Sequence, residues 1–153
     1  MRRPQAAVSF FSLPAIMHES FAYFEHGADM GIVGRGARLE QAFEQAAMAV
    51  FAMMTKLDDL QPRQSVAVEF EEADAELALV TWLNRLLGEA RSRALVFGRF
   101  RLRRDGTHWS GTAAGEPWRM GLERGVEVKG ATLTALAVTQ HDGIWEARCV
   151  VDV

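Results

Sequence analysis

Two stretches of this sequence carry groups that could do chemistry. One is Glu25-His26-Gly27-Ala28-Asp29-Met30-Gly31; the other is the closing run Trp145-Glu146-Ala147-Arg148-Cys149-Val150-Val151-Asp152-Val153. Each puts an Asp at the edge of a hydrophobic, strand-like pattern. Asp152 stands next to the last residue, so its carboxylate and that of Val153 are held close together. A fold that brought Asp29 to this pair would crowd three acidic groups, which repel unless a cation neutralises them. Hard carboxylate oxygens favour calcium or magnesium over zinc. The expected metal ligands are therefore Asp29, Asp152 and the terminal carboxylate of Val153. His26, three residues before Asp29, reads as a further ligand, a partner behind the ligands, or a packed histidine.

Other candidates are cationic. Lys129 is one of only two lysines, with Val126 and Val128 facing the other way. It reads as a solvated strand residue, or as a cation that contacts phosphate or a partner, or balances the carboxylates. Arg99, Arg101 and Arg103 alternate along one strand pattern, with Arg91, Arg93 and Arg104 nearby. That stripe is either a solvated face or a surface for RNA phosphates or an acidic partner. No phosphate-binding glycine loop, zinc-protease helix motif or nucleophile elbow is present, and no nucleophile sits beside a local base. No catalytic residue is assigned on this reading.

The elements that must position these groups follow from periodicity. Phe21 to Phe24 reads as a strand, Glu25 to Asp29 as a turn in which Asp29 bonds the local backbone, and Met30 to Gly34 as the returning strand. From Arg38 the apolar residues Leu39, Phe43, Ala46, Ala47, Val50, Phe51 and Met54 recur at helical steps, predicting a helix of about 17 residues. Val66, Val68 and Phe70 alternate as a strand. Asp74 suits an N-cap, and Leu77, Val80, Leu83, Leu87 and Ala90 stripe a second helix to about Arg91. Beyond it come strands Leu95 to Arg104 and Trp109 to Ala114, joined at Asp105-Gly106. Gly115-Glu116-Pro117 is expected to break the pairing. Strands Glu127 to Val138 and Ile144 to Val153 follow, joined at His141-Asp142-Gly143. The expected fold class is α+β: a largely antiparallel sheet with two packed helices.

At 153 residues, one domain is the simplest organisation, and a chain of that length buries roughly 70% of its unfolded surface. The single cysteine, Cys149, leaves no intramolecular disulfide and sits in a run that favours a buried strand thiol. No apolar run nears the ~20 residues of a membrane span, so no membrane partner is expected and the location expected is cytoplasmic. The net charge of −3 argues against a general nucleic-acid binder, and no DNA partner is expected. Residues 1–19 are expected to be an N-terminal extension to a 20–153 domain. Met17 offers a second translation start, which would leave 1–16 as non-native sequence.

The same residues resemble the archease family. Phe24-Glu25-His26-Gly27-Ala28-Asp29-Met30-Gly31 is similar to its H-T-A-D-x-G segment. Leu39-Glu40-Gln41-Ala42-Phe43 resembles the start of its first helix, and Trp82-Leu83-Asn84-Arg85-Leu86-Leu87 the W-L-N-x-L-L of its second. Gly115-Glu116-Pro117, Val128-Lys129-Gly130-Ala131-Thr132 and the run from Trp145 to Val153 follow in the family's order. The resemblance implies a protein cofactor, not an enzyme, that promotes guanylylation and multiple turnover of the RtcB-type tRNA-splicing RNA ligase, meeting RNA mainly through that ligase. It implies an archease-like α+β fold, metal ligation at Asp29, Asp152 and Val153, and a functional Lys129. The residues alone leave two other readings open: a metal-dependent phosphoester hydrolase, and an RNA-binding or chaperone-like module using Arg99, Arg101 and Arg103. Two departures stand out. Gly27 replaces the family's Thr, which would loosen the turn aiming Asp29, and Leu133-Thr134 replaces its Tyr-His pair.

Overall fold

The computed structural model describes residues 20–153. The expected extension over 1–19, with its alternative start at Met17, lies outside the described residues. The elements run β1 (Phe21–His26), β2 (Asp29–Gly36), α1 (Leu39–Met54), a 3-10 turn (Leu57–Asp59), β3 (Gln64–Glu71), α2 (Ala75–Arg93), β4 (Leu95–Asp105), β5 (His108–Pro117), β6 (Gly130–Ala131), β7 (Ala137–His141) and β8 (Ile144–Asp152). The fold is α+β, as expected, but its strands form two antiparallel sheets. The larger runs β1-β2-β8-β6, with β7 also paired to β8; the smaller runs β3-β5-β4.

Helix α1 is the shared wall between the sheets. Its Ala-rich sequence buries Ala42, Phe43, Ala46, Ala47, Val50 and Phe51, leaving short side chains where strands must come close. The closest approach is at Gly34 on β2, where a methyl group would sit 2.2 Å from the Ala42 carbonyl oxygen and 2.3 Å from the Ala46 nitrogen. On the other side, Phe43 and Phe70 stack against Trp109 at 5.2 and 5.9 Å between ring centres. Buried polar atoms tie the layers together. Tyr23 donates its hydroxyl to the Ala49 carbonyl at 2.6 Å, and the Trp82 indole donates to the Phe43 carbonyl at 3.0 Å. The second bond joins the two helices directly.

Helix α2 starts as its sequence predicts: Asp74 accepts the Leu77 amide at 3.0 Å. Its buried face differs from the predicted stripe. Leu79, Trp82, Leu83, Leu86, Leu87 and Ala90 point inward, while Leu77 is 43% exposed. Trp82, held by its indole bond, sets the rotation, and Leu77 falls on the outer flank. The helix continues to Arg93 and stops at Ala94, which adopts a left-handed φ of 56°.

Three other expectations are corrected. Gly115-Glu116-Pro117 does not break the pairing; β5 continues through it, with Gly115 opposite Gln64 and Pro117 opposite Leu95. The β4–β5 loop is Gly106-Thr107, with Asp105 still paired to His108. The single strand expected over 127–138 is two short ones. Between them Thr132 and Thr134 bond Val150, and Ala135 turns the chain at φ 54°, so alternating sequence here follows a bulged edge.

Glu116 explains why β5 holds to its end. Its buried carboxylate accepts the Gln61 amide at 2.8 Å and the Arg119 guanidinium at 2.9 Å, with Arg63 at 3.4 Å. Chiefly the Arg119 bond, and then the Gln61 amide, lower its pKa from 4.5 to about 2. A carboxyl depressed in the folded state stabilises above its unfolded pKa, and that stabilisation is lost as pH falls through the folded value. Glu116→Gln should therefore flatten the fall in melting temperature between pH 4.5 and about 2, read by thermal denaturation at stepped pH. Gly34→Ala should destabilise the fold by roughly 3 kcal/mol, because backbone rather than a movable side chain meets the added methyl; chemical denaturation measures it.

Candidate metal and partner site

The site is assembled by strand register. On the larger sheet Met30 lies opposite Val151, so the next positions outward are Asp29 and Asp152. His26 pairs with Asp29 on one side, and Gly130 with Asp152 on the other. Directly opposed residues share a face, so His26, Asp29 and Asp152 stand in one row across the end of the sheet. Alternation places that row on the face away from Tyr23, Ile32 and Cys149, which are buried in the core. Asp29 is half-buried; His26 and Asp152 are exposed.

One contact closes the corner. The Val153 amide donates to Asp29 Oδ1 at 3.3 Å. Among the described residues Asp29 makes no bond to its own turn, the bond expected from sequence; it reaches across the ladder to the end of β8. The turn residues are Gly27 and Ala28, with Gly27 at φ 61°. That left-handed conformation strains a β-branched side chain, so glycine fits here without loosening the hairpin. The structure thus brings Asp29 and Asp152, two of the expected metal ligands, to adjacent positions, with the Val153 amide bonded to Asp29. Among the described residues, no group of three or more His, Cys, Asp and Glu side chains could hold a metal ion.

Lys129 is exposed beside this corner. Its backbone is pinned from two directions: its amide donates to the Asp152 carbonyl at 2.8 Å, and its carbonyl accepts from Arg91 at 3.0 Å. Val128 before it is buried, whereas Val126, expected to share that inward face, is 41% exposed. Leu133 is exposed, and the Thr134 carbonyl accepts the Val150 amide at 3.0 Å.

Sequence reasoning missed the part that α2 plays. The Asn84 amide group accepts from the Ala131 N–H at 2.8 Å and donates to its carbonyl at 3.1 Å, as a neighbouring strand would. Asn84 and Arg91 together clamp the Lys129–Ala131 segment to α2. The available signal was a polar Asn directly after the buried Trp82-Leu83 pair, but its partner lies 47 residues away.

Arg99, Arg101 and Arg103 lie elsewhere, on the exposed face of the smaller sheet. Their neighbours in sequence are engaged: Arg93 pairs with Glu89 at 2.7 Å, and Arg104 lies 4.7 Å over the Trp109 ring. Cys149 is buried in β8 as expected, and burial pushes its thiol up to about 12. At ordinary pH it is a packed thiol rather than a nucleophile.

Comparison with known proteins gives a consistent result. The sequence model of the Archease protein family matches residues 21–153. A protein named archease from Sulfolobus acidocaldarius is 37% identical over 136 residues, covering 87% of this chain and 98% of its own. An archease-like protein of Drosophila melanogaster is 33% identical over 150 residues, covering 94% of each. The solution structure of Methanobacterium thermoautotrophicum protein 1598 superposes with a TM-score of 0.80 at 33% identity, covering 88% of this chain and 99% of that one. A Thermotoga maritima crystal structure, titled an archease and possible chaperone, shares the fold at a TM-score of 0.62 and 19% identity, covering 85% of this chain and 94% of that one.

The clamp is testable apart from function. Asn84→Ala should speed amide hydrogen exchange at Ala131 while leaving Ile32, in the middle of the β2–β8 ladder, as protected as before. Equal protection at Ala131 in both proteins would show that the pairing with β8 alone holds the segment.

Proposed function

Because the chain belongs to the archease family, we propose that it is an accessory protein that activates an RtcB-type RNA ligase. In this reading it promotes guanylylation of the ligase and its multiple turnover in tRNA splicing and RNA repair. The observation that supports it is the corner at which Asp29 accepts the Val153 amide beside Asp152. Asp29, Asp152 and the terminal carboxylate of Val153 would hold a divalent ion, calcium or magnesium. Such an ion, when bound, supplies charge that polarises phosphoryl oxygens during nucleotide transfer.

The chain's own residues do the positioning. The Val153 amide fixes one oxygen of Asp29 and leaves the other free. Asp152 is exposed at the end of the sheet and can reach a partner's surface. Lys129, held by Asp152 and Arg91 through its backbone, keeps its ammonium available for a phosphate or an acidic group of the ligase. His26, on the same face as Asp29, supports the row. No residue of this chain takes part in a covalent step; the ligase performs the chemistry.

The test compares multiple-turnover ligation by the ligase with wild type, Asp29→Asn and Asp152→Ala, alongside calorimetric titration with calcium. Asp29→Asn retains an acceptor for the Val153 amide, so it should fold normally. Both variants should lose stimulation and calcium affinity by on the order of tenfold or more, the usual effect of disturbing a metal's surroundings. Folded variants that stimulate as well as wild type would exclude the site. Phosphoester turnover by the purified protein without ligase would favour the hydrolase reading instead.

A further inference from the structure

The exposed face of the smaller sheet has a lane structure. Arg99, Arg101 and Arg103 point outward along β4; Ala114, Thr112 and Ser110 lie beside them on β5; Ser65, Ala67 and Glu69 lie beyond on β3. The arginines sit at the sheet's edge, on the strand paired only to β5. Every other arginine among the described residues has a partner. Arg35, Arg38, Arg63, Arg93 and Arg119 pair with carboxylates. Arg85 and Arg91 bond backbone carbonyls, and Arg104, Arg124 and Arg148 lie over aromatic rings. The guanidinium groups of Arg99, Arg101 and Arg103 make no hydrogen bond or ion pair with any described residue. Glu44, which Arg101 influences through space, already accepts the Leu102 amide at 2.8 Å.

Three unpartnered cations two residues apart form a straight row spaced about 6.7 Å, twice the rise of an antiparallel strand. A regular row of like charge suits a regular polyanion. At the Arg99 end a β-bulge at Gly98 borders a notch of about 240 Å³, walled by Met48, Leu57, Leu60, Pro62 and Ala114. Its acidic residue, Asp58, suits an amino-bearing ring and repels an acidic side chain. The hydroxyls of Ser110 and Thr112 flank the row.

We propose that this lane binds the backbone of a single-stranded polynucleotide, with Arg99, Arg101 and Arg103 on successive phosphates and one base in the notch. The inference is independent of the ligase reading and concerns a different face of the protein. The lane carries no exposed aromatic for bases to stack on, so binding is mainly electrostatic and weak in salt.

Fluorescence anisotropy with labelled oligocytidylate and oligodeoxycytidylate, whose bases carry an amino group, using the whole protein without ligase, tests it. Binding to both should fall with salt with a log–log slope of about −2, three phosphates at ~0.7 each for a single strand. Each of Arg99→Gln, Arg101→Gln and Arg103→Gln should reduce the slope by about 0.7. The triple variant should lose at least tenfold in low-salt affinity with an unchanged melting temperature. A triple variant that binds like wild type would overturn the proposal. So would equal binding of an oligoglutamate of matched charge, which would assign the lane to an acidic protein.

Discussion

The ladder between β2 and β8 carries the whole arrangement. Ile32 faces Cys149 and Met30 faces Val151, and the same register delivers Asp29 to Val153 across 124 positions of sequence. A slip of one residue would turn every side chain of β2 to the opposite face. Ile32 would leave the core and Asp29 would enter it, against Val151 and Cys149. Burying an unpaired carboxylate is strongly unfavourable, so the apolar packing that fixes the register also fixes the acidic corner. β8 is bonded on both sides, to β2 on one and to β6 and β7 on the other. Its end is held while the groups on it remain in solvent.

Charge is divided in a way the net value conceals. Carboxylates gather at the corner of the larger sheet, whereas unpartnered guanidinium groups line the edge of the smaller one. Most other charges are used internally. Glu116 alone gathers Arg63, Arg119 and the Gln61 amide, joining the loop after the 3-10 turn to the end of β5. Two faces of opposite character on one small domain allow two kinds of contact that do not compete for surface.

Much of this was legible in the residues. Helical spacing from Leu39 to Met54, alternation in Val66, Val68 and Phe70, and the cap at Asp74 report local preferences that packing did not override. What failed depended on distant partners. Gly115-Glu116-Pro117 looks like a turn because the groups that hold the Glu116 carboxylate include Gln61, 55 residues earlier. The stripe of α2 was misjudged by one flank because the indole bond of Trp82 to α1 sets its rotation. The apolar run over 127–138 alternates like one strand, but β8 accepts it in two pieces around Ala135. At the site, Asp29, Asp152 and Lys129 could be singled out as candidates from the residues, and the register sets Asp29 and Asp152 at neighbouring positions. The clamp from Asn84 and Arg91 was not legible, since an asparagine on an exposed helix face carries no mark of the strand edge it completes.

The order of strands in the larger sheet also sets a schedule for synthesis. Arg35 and Glu146, joined at 2.9 Å, are separated by 111 residues, so β2 emerges from a ribosome long before its partner. At ~5–20 residues per second the wait is roughly 5–20 s. During it α1 can cover one face of the first hairpin, but the hydrogen-bonding edge of β2 stays bare. Such an edge is a template for another chain, so nascent molecules that lack β8 carry an adhesive strand that the finished protein conceals.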